Sequence, residues 1–139
     1  MAGFADGAHV FLVEDDDQDA FLFEKMLREE AGAANIDRAV EGRGALDTLK
    51  SGERAPDCIV LDLKLAGEDG LWLLDRLLED EALARIPVIV FSGDAARLER
   101  ACASFSNVVS SVRKPQTLDD YRSALAIVGA ILGAAVSRA

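Results

Sequence analysis

Asp57-Cys58-Ile59-Val60-Leu61-Asp62-Leu63-Lys64-Leu65-Ala66-Gly67-Glu68-Asp69-Gly70 decides the fold. Cys58 to Leu61 are apolar and run straight into one acid, Asp62. A short polar loop with two glycines follows, and then a helix begins. Such a run predicts a parallel strand buried on both faces. In open α/β sheets, ligands bind outside the carboxyl edge of the strands. Asp62 falls at that edge, where a lone carboxylate needs a partner cation or a chemical role.

Working outward, the same alternation repeats. Upstream, His9–Val13 reads as the first strand and runs into Glu14-Asp15-Asp16-Asp17. A helix over about 18–31 carries Ala20, Phe23 and Leu27 at 3–4 spacing and stops at Gly32. Ile36–Val40 is a weaker second strand. Gly42 and Gly44 open a second helix, with Leu46 and Leu49 inward, that ends near Gly52. Downstream of Asp62, a helix is expected over about 71–80, with Leu71, Leu74, Leu77 and Leu78 apolar. Pro87–Phe91 is the fourth strand and ends at Ser92-Gly93. Asp94–Phe105 is the next helix, with Asp94 as its N-cap. Val108–Val112 is the fifth strand, followed by Arg113-Lys114-Pro115. The last helix spans about 117–136, where Thr117 and Asp120 make a start like a capping box.

Five alternations of strand and helix predict an α/β chain of three layers, with a parallel sheet covered on both faces. Right-handed crossovers put all five strand carboxyl ends on one rim. Residues 1–139 are expected to form a single domain. Met1–Ala8 is a flexible lead-in, and no room is left for an attached output module.

Composition narrows the classes of function. Half of the 139 residues are hydrophobic, which excludes global disorder. The net charge of −10 repels a phosphate backbone, so a nucleic-acid partner is not expected. Cys58 and Cys102 lie in apolar stretches and read as buried reduced thiols, in keeping with the cytoplasm. The first eight residues lack the basic flank and apolar run of a signal peptide. No stretch reaches the length of a membrane span.

The strand ends collect a set of chemical groups. The first strand contributes Glu14 and Asp15, the third Asp62, the fourth Ser92 and the fifth Lys114. Each alone has an ordinary reading: an acidic helix cap, a strand-end turn, a turn serine, a surface lysine. Their coincidence on one rim is what points to chemistry. Three carboxylates brought together repel one another unless a divalent cation joins them. Mg2+ suits such a site, being hard and satisfied by a few carboxylates plus water and phosphate oxygens. Carboxylate, hydroxyl and ammonium around that ion make a phosphoryl-transfer site. Asp62 would be the nucleophile and form an acyl phosphate. Ser92 would hydrogen-bond one phosphoryl oxygen, and Lys114 would pair with another.

Val13-Glu14-Asp15, Val60-Leu61-Asp62 with Gly70 downstream, Val90-Phe91-Ser92-Gly93 and Lys114-Pro115 resemble the receiver domain of two-component response regulators, over roughly residues 9–135. That resemblance implies a flavodoxin-like fold with strand order 2-1-3-4-5 and Asp62 as phosphoacceptor. It implies Asp15 as a direct magnesium ligand, Glu14 acting partly through water, and the backbone carbonyl of Lys64 as a further ligand. It also implies Ser92 as the switch hydroxyl, Lys114 as the family's lysine, and a cis bond before Pro115. Two departures stand out. Receivers usually carry Tyr or Phe three residues before the lysine, and here that position is Ser111. Lys64 and Asp94 flank the phosphoryl position, which suggests that they pair across it and hinder hydrolytic water.

The last helix bears on partners. Leu118, Tyr121, Leu125, Val128 and Leu132 form one apolar seam, while Ile127, Ile131, Gly129 and Gly133 make the other side apolar or small. A homodimer through this helix is the expected cover. Arg85-Ile86-Pro87-Val88 and Leu118-Asp119-Asp120-Tyr121, with the short length, resemble single-domain receivers paired with bacterial phytochrome-type kinases. A sensor histidine kinase or phosphotransfer protein would be the phosphoryl donor. The other enzymatic reading is an aspartate-nucleophile phosphatase, which needs an acid two residues after the nucleophile. Lys64 occupies that position, so no enzyme activity beyond self-phosphorylation and self-dephosphorylation is expected. The remaining alternative is a pseudo-receiver acting as a dimeric scaffold. Ser111 leaves room for it, while Asp15, Asp62, Ser92 and Lys114 argue against it.

Overall fold

The computed structural model describes residues 9–30, 35–52, 55–65 and 70–113, with 117, 119, 122, 123, 126, 129 and 130 beyond them; the side chains of Met26 and Glu30 are excepted. The elements are β1 (His9–Val13), α1 (Asp17–Glu30), β2 (Asn35–Ala39), α2 (Gly42–Ser51), β3 (Cys58–Asp62), α3 (Gly70–Leu78), β4 (Val88–Ser92), α4 (Ala95–Ser104) and β5 (Val108–Arg113). The five strands form one parallel sheet in the order β2-β1-β3-β4-β5. The doubly wound, flavodoxin-like topology is thus the one expected. Its order reverses between β1 and β3, which opens a crevice at their carboxyl ends.

Strand alternation sorts the core into two layers. Phe11, Val13, Ile59, Leu61, Val88 and Val90 pack against Leu46 of α2, Leu73, Leu74 and Leu77 of α3, and Leu98 and Ala101 of α4. Val10, Leu12, Cys58, Val60, Ile89 and Phe91 pack against Ala20, Phe23 and Leu27 of α1. Every residue of β3 and of β4 is buried, as strands covered on both faces require. Burial pushes the Cys58 thiol up to about 12, with the neighbouring carboxylate of Asp57 adding to the effect.

Element ends follow local chemistry. Asp94 caps α4 as expected, its carboxylate accepting from the amides of Ala96 and Arg97. β4 starts at Val88 rather than Pro87, because proline has no N–H for the ladder. The stretch before it forms a 3₁₀ turn, Leu83–Arg85, that no periodicity announces in so few residues. Gly70 begins α3 against the end of β3. A Cβ there would lie 2.6 Å from the Leu63 Cα and 2.9 Å from the Asp62 carbonyl oxygen, so only glycine permits this approach.

One expectation is corrected, and one strand shows a feature of its own. Cys102 is exposed, not buried. It follows Ala101, which faces the core, and one helical step of about 100° turns it outward. β5 does not run in simple register: Val88 pairs with Val108 but Ile89 with Ser110. Val109 is therefore an extra residue, a bulge on the edge strand.

Met1–Ala8, residues 66–69, Lys114, Pro115 and the residues of the apolar seam expected in the last helix lie outside the described residues. Within that helix, Asp119, Arg122, Ser123, Ala126, Gly129 and Ala130 are helical, and the Ser123 hydroxyl donates to the Asp119 carbonyl at 3.2 Å.

Candidate functional site at the carboxyl rim of the sheet

β1 and β3 pair with Val13 opposite Leu61, so the next residues, Glu14 and Asp62, leave the sheet side by side. The turn after β1 adds Asp15. Carboxylate oxygens of Glu14, Asp15 and Asp62 all lie within 4.8 Å of one another. Glu14 and Asp62 are buried, at 1% and 2% exposure. The Glu14 carboxylate is oriented by the amide of Asp16, 3.1 Å from its Oε2. Its backbone is held in turn, the Glu14 amide donating to the Ala39 carbonyl at 3.0 Å.

Asp62 is held from the loop that follows it. The Lys64 amide donates to Asp62 Oδ1 at 3.0 Å. Gly70 and Leu63 close this loop through a 3.0 Å backbone bond. β4 brings in Ser92: Asp62 sits opposite Phe91, so Ser92 lies one residue further out, and it is 1% exposed. Its hydroxyl accepts from the Asp94 amide at 3.0 Å. On β5, Arg113 pairs with Ser92; Lys114, the next residue in sequence, lies outside the described residues.

The structure thus brings together Glu14, Asp15 and Asp62, and sets Ser92 on the adjoining strand end. Lys64 follows Asp62 with its side chain exposed. The suggested pair of Lys64 with Asp94 does not form among the described residues. Asp94 is already committed to capping α4, and its Oδ2 lies 3.6 Å from Arg97 Nε. Ser111 lies beside Val90 in the ladder and is exposed, so this position presents a small hydroxyl.

Sequence reasoning missed one participant. Arg38 of β2 donates from Nε to the Glu14 carbonyl at 2.9 Å and from Nη1 to Asp17 Oδ1 at 3.0 Å. An arginine in a weak strand 24 residues away gives no periodic signal that would have marked it.

Chemically, three clustered carboxylates, two of them buried, are tolerable when a cation offsets their repulsion. The donors are all oxygen, without histidine or cysteine, which fits a hard ion such as magnesium. The described residues include no helix long and apolar enough to cross a membrane.

Comparison with known proteins agrees with this geometry. The response regulator receiver domain model matches residues 10–126. The polar-differentiation response regulator DivK of Brucella ovis is 32% identical over 119 residues, covering 81% of this chain and 94% of DivK. The phosphorylated cyanobacterial phytochrome response regulator RcpA superposes with a TM-score of 0.76 at 28% identity, over 87% of this chain and 90% of RcpA. The Mn(2+)-bound form of response regulator Rcp1 gives a TM-score of 0.75 at 26% identity, over 88% and 91% of the two chains.

Proposed function

Because the chain belongs to the response regulator receiver domain family, we propose that Asp62 is its phosphoacceptor and that the domain switches a protein-interaction surface. One observation carries the assignment: the carboxylates of Glu14, Asp15 and Asp62 converge at the crevice of the sheet, next to Ser92.

Glu14, Asp15, Asp62 and the Lys64 carbonyl would hold magnesium. When bound, the ion offsets the carboxylate charge and that of the incoming phosphoryl oxygens. An Asp62 oxygen attacks the phosphorus of a phosphohistidine, the phosphorus–nitrogen bond breaks, and an acyl phosphate forms as imidazole leaves. The Lys64 amide, donating to Oδ1, fixes the orientation of the Asp62 carboxylate at the strand end. Ser92 donates its hydroxyl to a phosphoryl oxygen, giving up nothing, since it now accepts from Asp94. Lys114 pairs with another phosphoryl oxygen as a point charge.

The donor is a sensor histidine kinase or phosphotransfer protein. The similarity to the phytochrome response regulator RcpA supports a phytochrome-type kinase. The protein works in the cytoplasm as a switch rather than an enzyme, and pairs with a second copy through the last helix. Phosphorylation adds about −1.5 to −2 charge at a buried site, which biases the strand ends around it. With Ser111 in place of a ring, the shift of Ser92 is not relayed by an aromatic rotamer on β5.

Incubation with acetyl phosphate and Mg2+, read by intact mass, tests the assignment. The wild-type chain should gain one phosphoryl group, and Asp62→Asn should gain none. A wild-type mass that stays unchanged with and without Mg2+ would leave only the pseudo-receiver scaffold.

A further inference from the structure

The turn between β1 and α1 is fastened from outside by Arg38. Its Nε donates to the carbonyl of Glu14, the residue that follows β1. Its Nη1 donates to Asp17, the first residue of α1. One guanidinium therefore bridges the two ends of the turn that presents Glu14 and Asp15. The third arm, Nη2, is buried and meets no acceptor among the described residues. A partly buried guanidinium with an unmet donor is a poor stabiliser in itself. What its two engaged arms hold in place accounts for it better.

We propose that Arg38 is a positioning residue for the cation site. It fixes the β1–α1 turn so that Glu14 and Asp15 already stand beside Asp62 when the ion arrives. This rests on the receiver assignment above and extends it to a residue outside the site. The rigid planar fork of arginine suits the role, because two donors at fixed spacing can span two separate acceptors. Partners that orient metal-ligating carboxylates commonly set metal affinity without touching the metal.

Arg38 also carries a positive charge, which acts against a nearby cation. Geometry and charge therefore push affinity in opposite directions, and two substitutions separate them. Arg38→Lys keeps the charge but loses the fork. Arg38→Met keeps most of the aliphatic stem and loses both.

The test is calorimetric titration of Mg2+ into the full chain, with thermal melts of each metal-free variant. Both Arg38 variants should bind Mg2+ about tenfold more weakly than wild type. Amide resonances of Asp15–Asp17 should broaden in the metal-free variants. Wild-type affinity in both variants overturns the proposal. So does tighter binding in Arg38→Met with no change in Arg38→Lys, since charge alone would then be at work. If an Arg38 variant melts below the assay temperature, Asp17→Asn and Asp17→Ala replace it. They remove the same charge, but only asparagine still accepts from Nη1, so Asp17→Asn should bind the more tightly; equal affinities overturn the proposal. A wild-type chain that binds no Mg2+ and takes up no phosphoryl group refutes the receiver assignment itself. Normal wild-type behaviour with indifferent variants refutes only the role of Arg38.

Discussion

Phe91, one residue before Ser92, lies face to face with Phe23 of α1: the ring centroids are 5.3 Å apart and the planes 8° from parallel. Both rings are 4% exposed. This contact joins the strand that carries Ser92 to the helix that follows the acidic turn. Phe23→Ala should cost about 3–5 kcal/mol through the cavity it leaves, and Phe23→Leu about 1 kcal/mol. Urea denaturation checks both values. A loss below about 1 kcal/mol for Phe23→Ala would mean that the stack contributes little.

Mg2+ should stabilise the fold by mass action. At a hundred times its Kd the gain is about 2.7 kcal/mol, a rise in Tm on the order of 10 °C. Asp15→Asn should abolish most of that rise. The same variant without metal should melt no lower than wild type, because it removes a like charge from a cluster within 4.8 Å. Scanning calorimetry with and without Mg2+ reads both effects. A full Mg2+ shift in Asp15→Asn would remove Asp15 from the ligand set.

Gly70→Ala sets two effects against each other. Alanine gains about 1 kcal/mol in helix propensity. Its Cβ, however, would meet the backbone of Leu63 at 2.6 Å, and backbone cannot swing aside as a flexible side chain does. Overpacking of this kind costs about 1–3 kcal/mol. The net outcome should be destabilisation by urea denaturation, with slower uptake of phosphoryl from acetyl phosphate as the Asp62 loop shifts. A stabilised Gly70→Ala would show that the close approach relaxes freely.

Cys58 and Cys102 should differ sharply in reactivity. At pH 8 iodoacetamide should label the exposed Cys102 and spare Cys58, whose thiol is pushed up to about 12. The raised value also fixes the sign of a stability effect. The unfolded thiol loses its proton near its ordinary value of 9.0, while the folded one keeps it to about 12. The contribution is therefore intact below pH 9 and declines as pH rises toward 12, by about 1.4 kcal/mol per pH unit. Cys58→Ala should flatten the alkaline limb of a stability–pH curve. An unaltered slope would assign it to other groups.

Much of this was legible from residue order, for a physical reason. A strand buried on both faces needs an unbroken apolar run, so the acids that end β1 and β3 stand out against it. The Asp94 cap was legible because capping chemistry is local. Contacts set by strand register were not. Arg38 reaches Glu14 and Asp17 only because β2 lies beside β1, and nothing near residue 38 records that. The suggested Lys64–Asp94 pair was misjudged for another reason: the carboxylate expected to cap α4 is engaged there and with Arg97. The exposure of Cys102 turned on a single step around α4.

The bulge at Val109 separates two parts of β5 that answer to different demands. Below it, Val108 is matched to the start of β4; above it, Ser110 to Arg113 keep step with Ile89 to Ser92. A slip of one residue is thus taken up before the strand reaches the rim. A change of length at Phe105–Asn107, ahead of β5, can be absorbed at the bulge without moving Arg113 from its place opposite Ser92. That stretch is the natural location for insertions that leave signalling chemistry untouched.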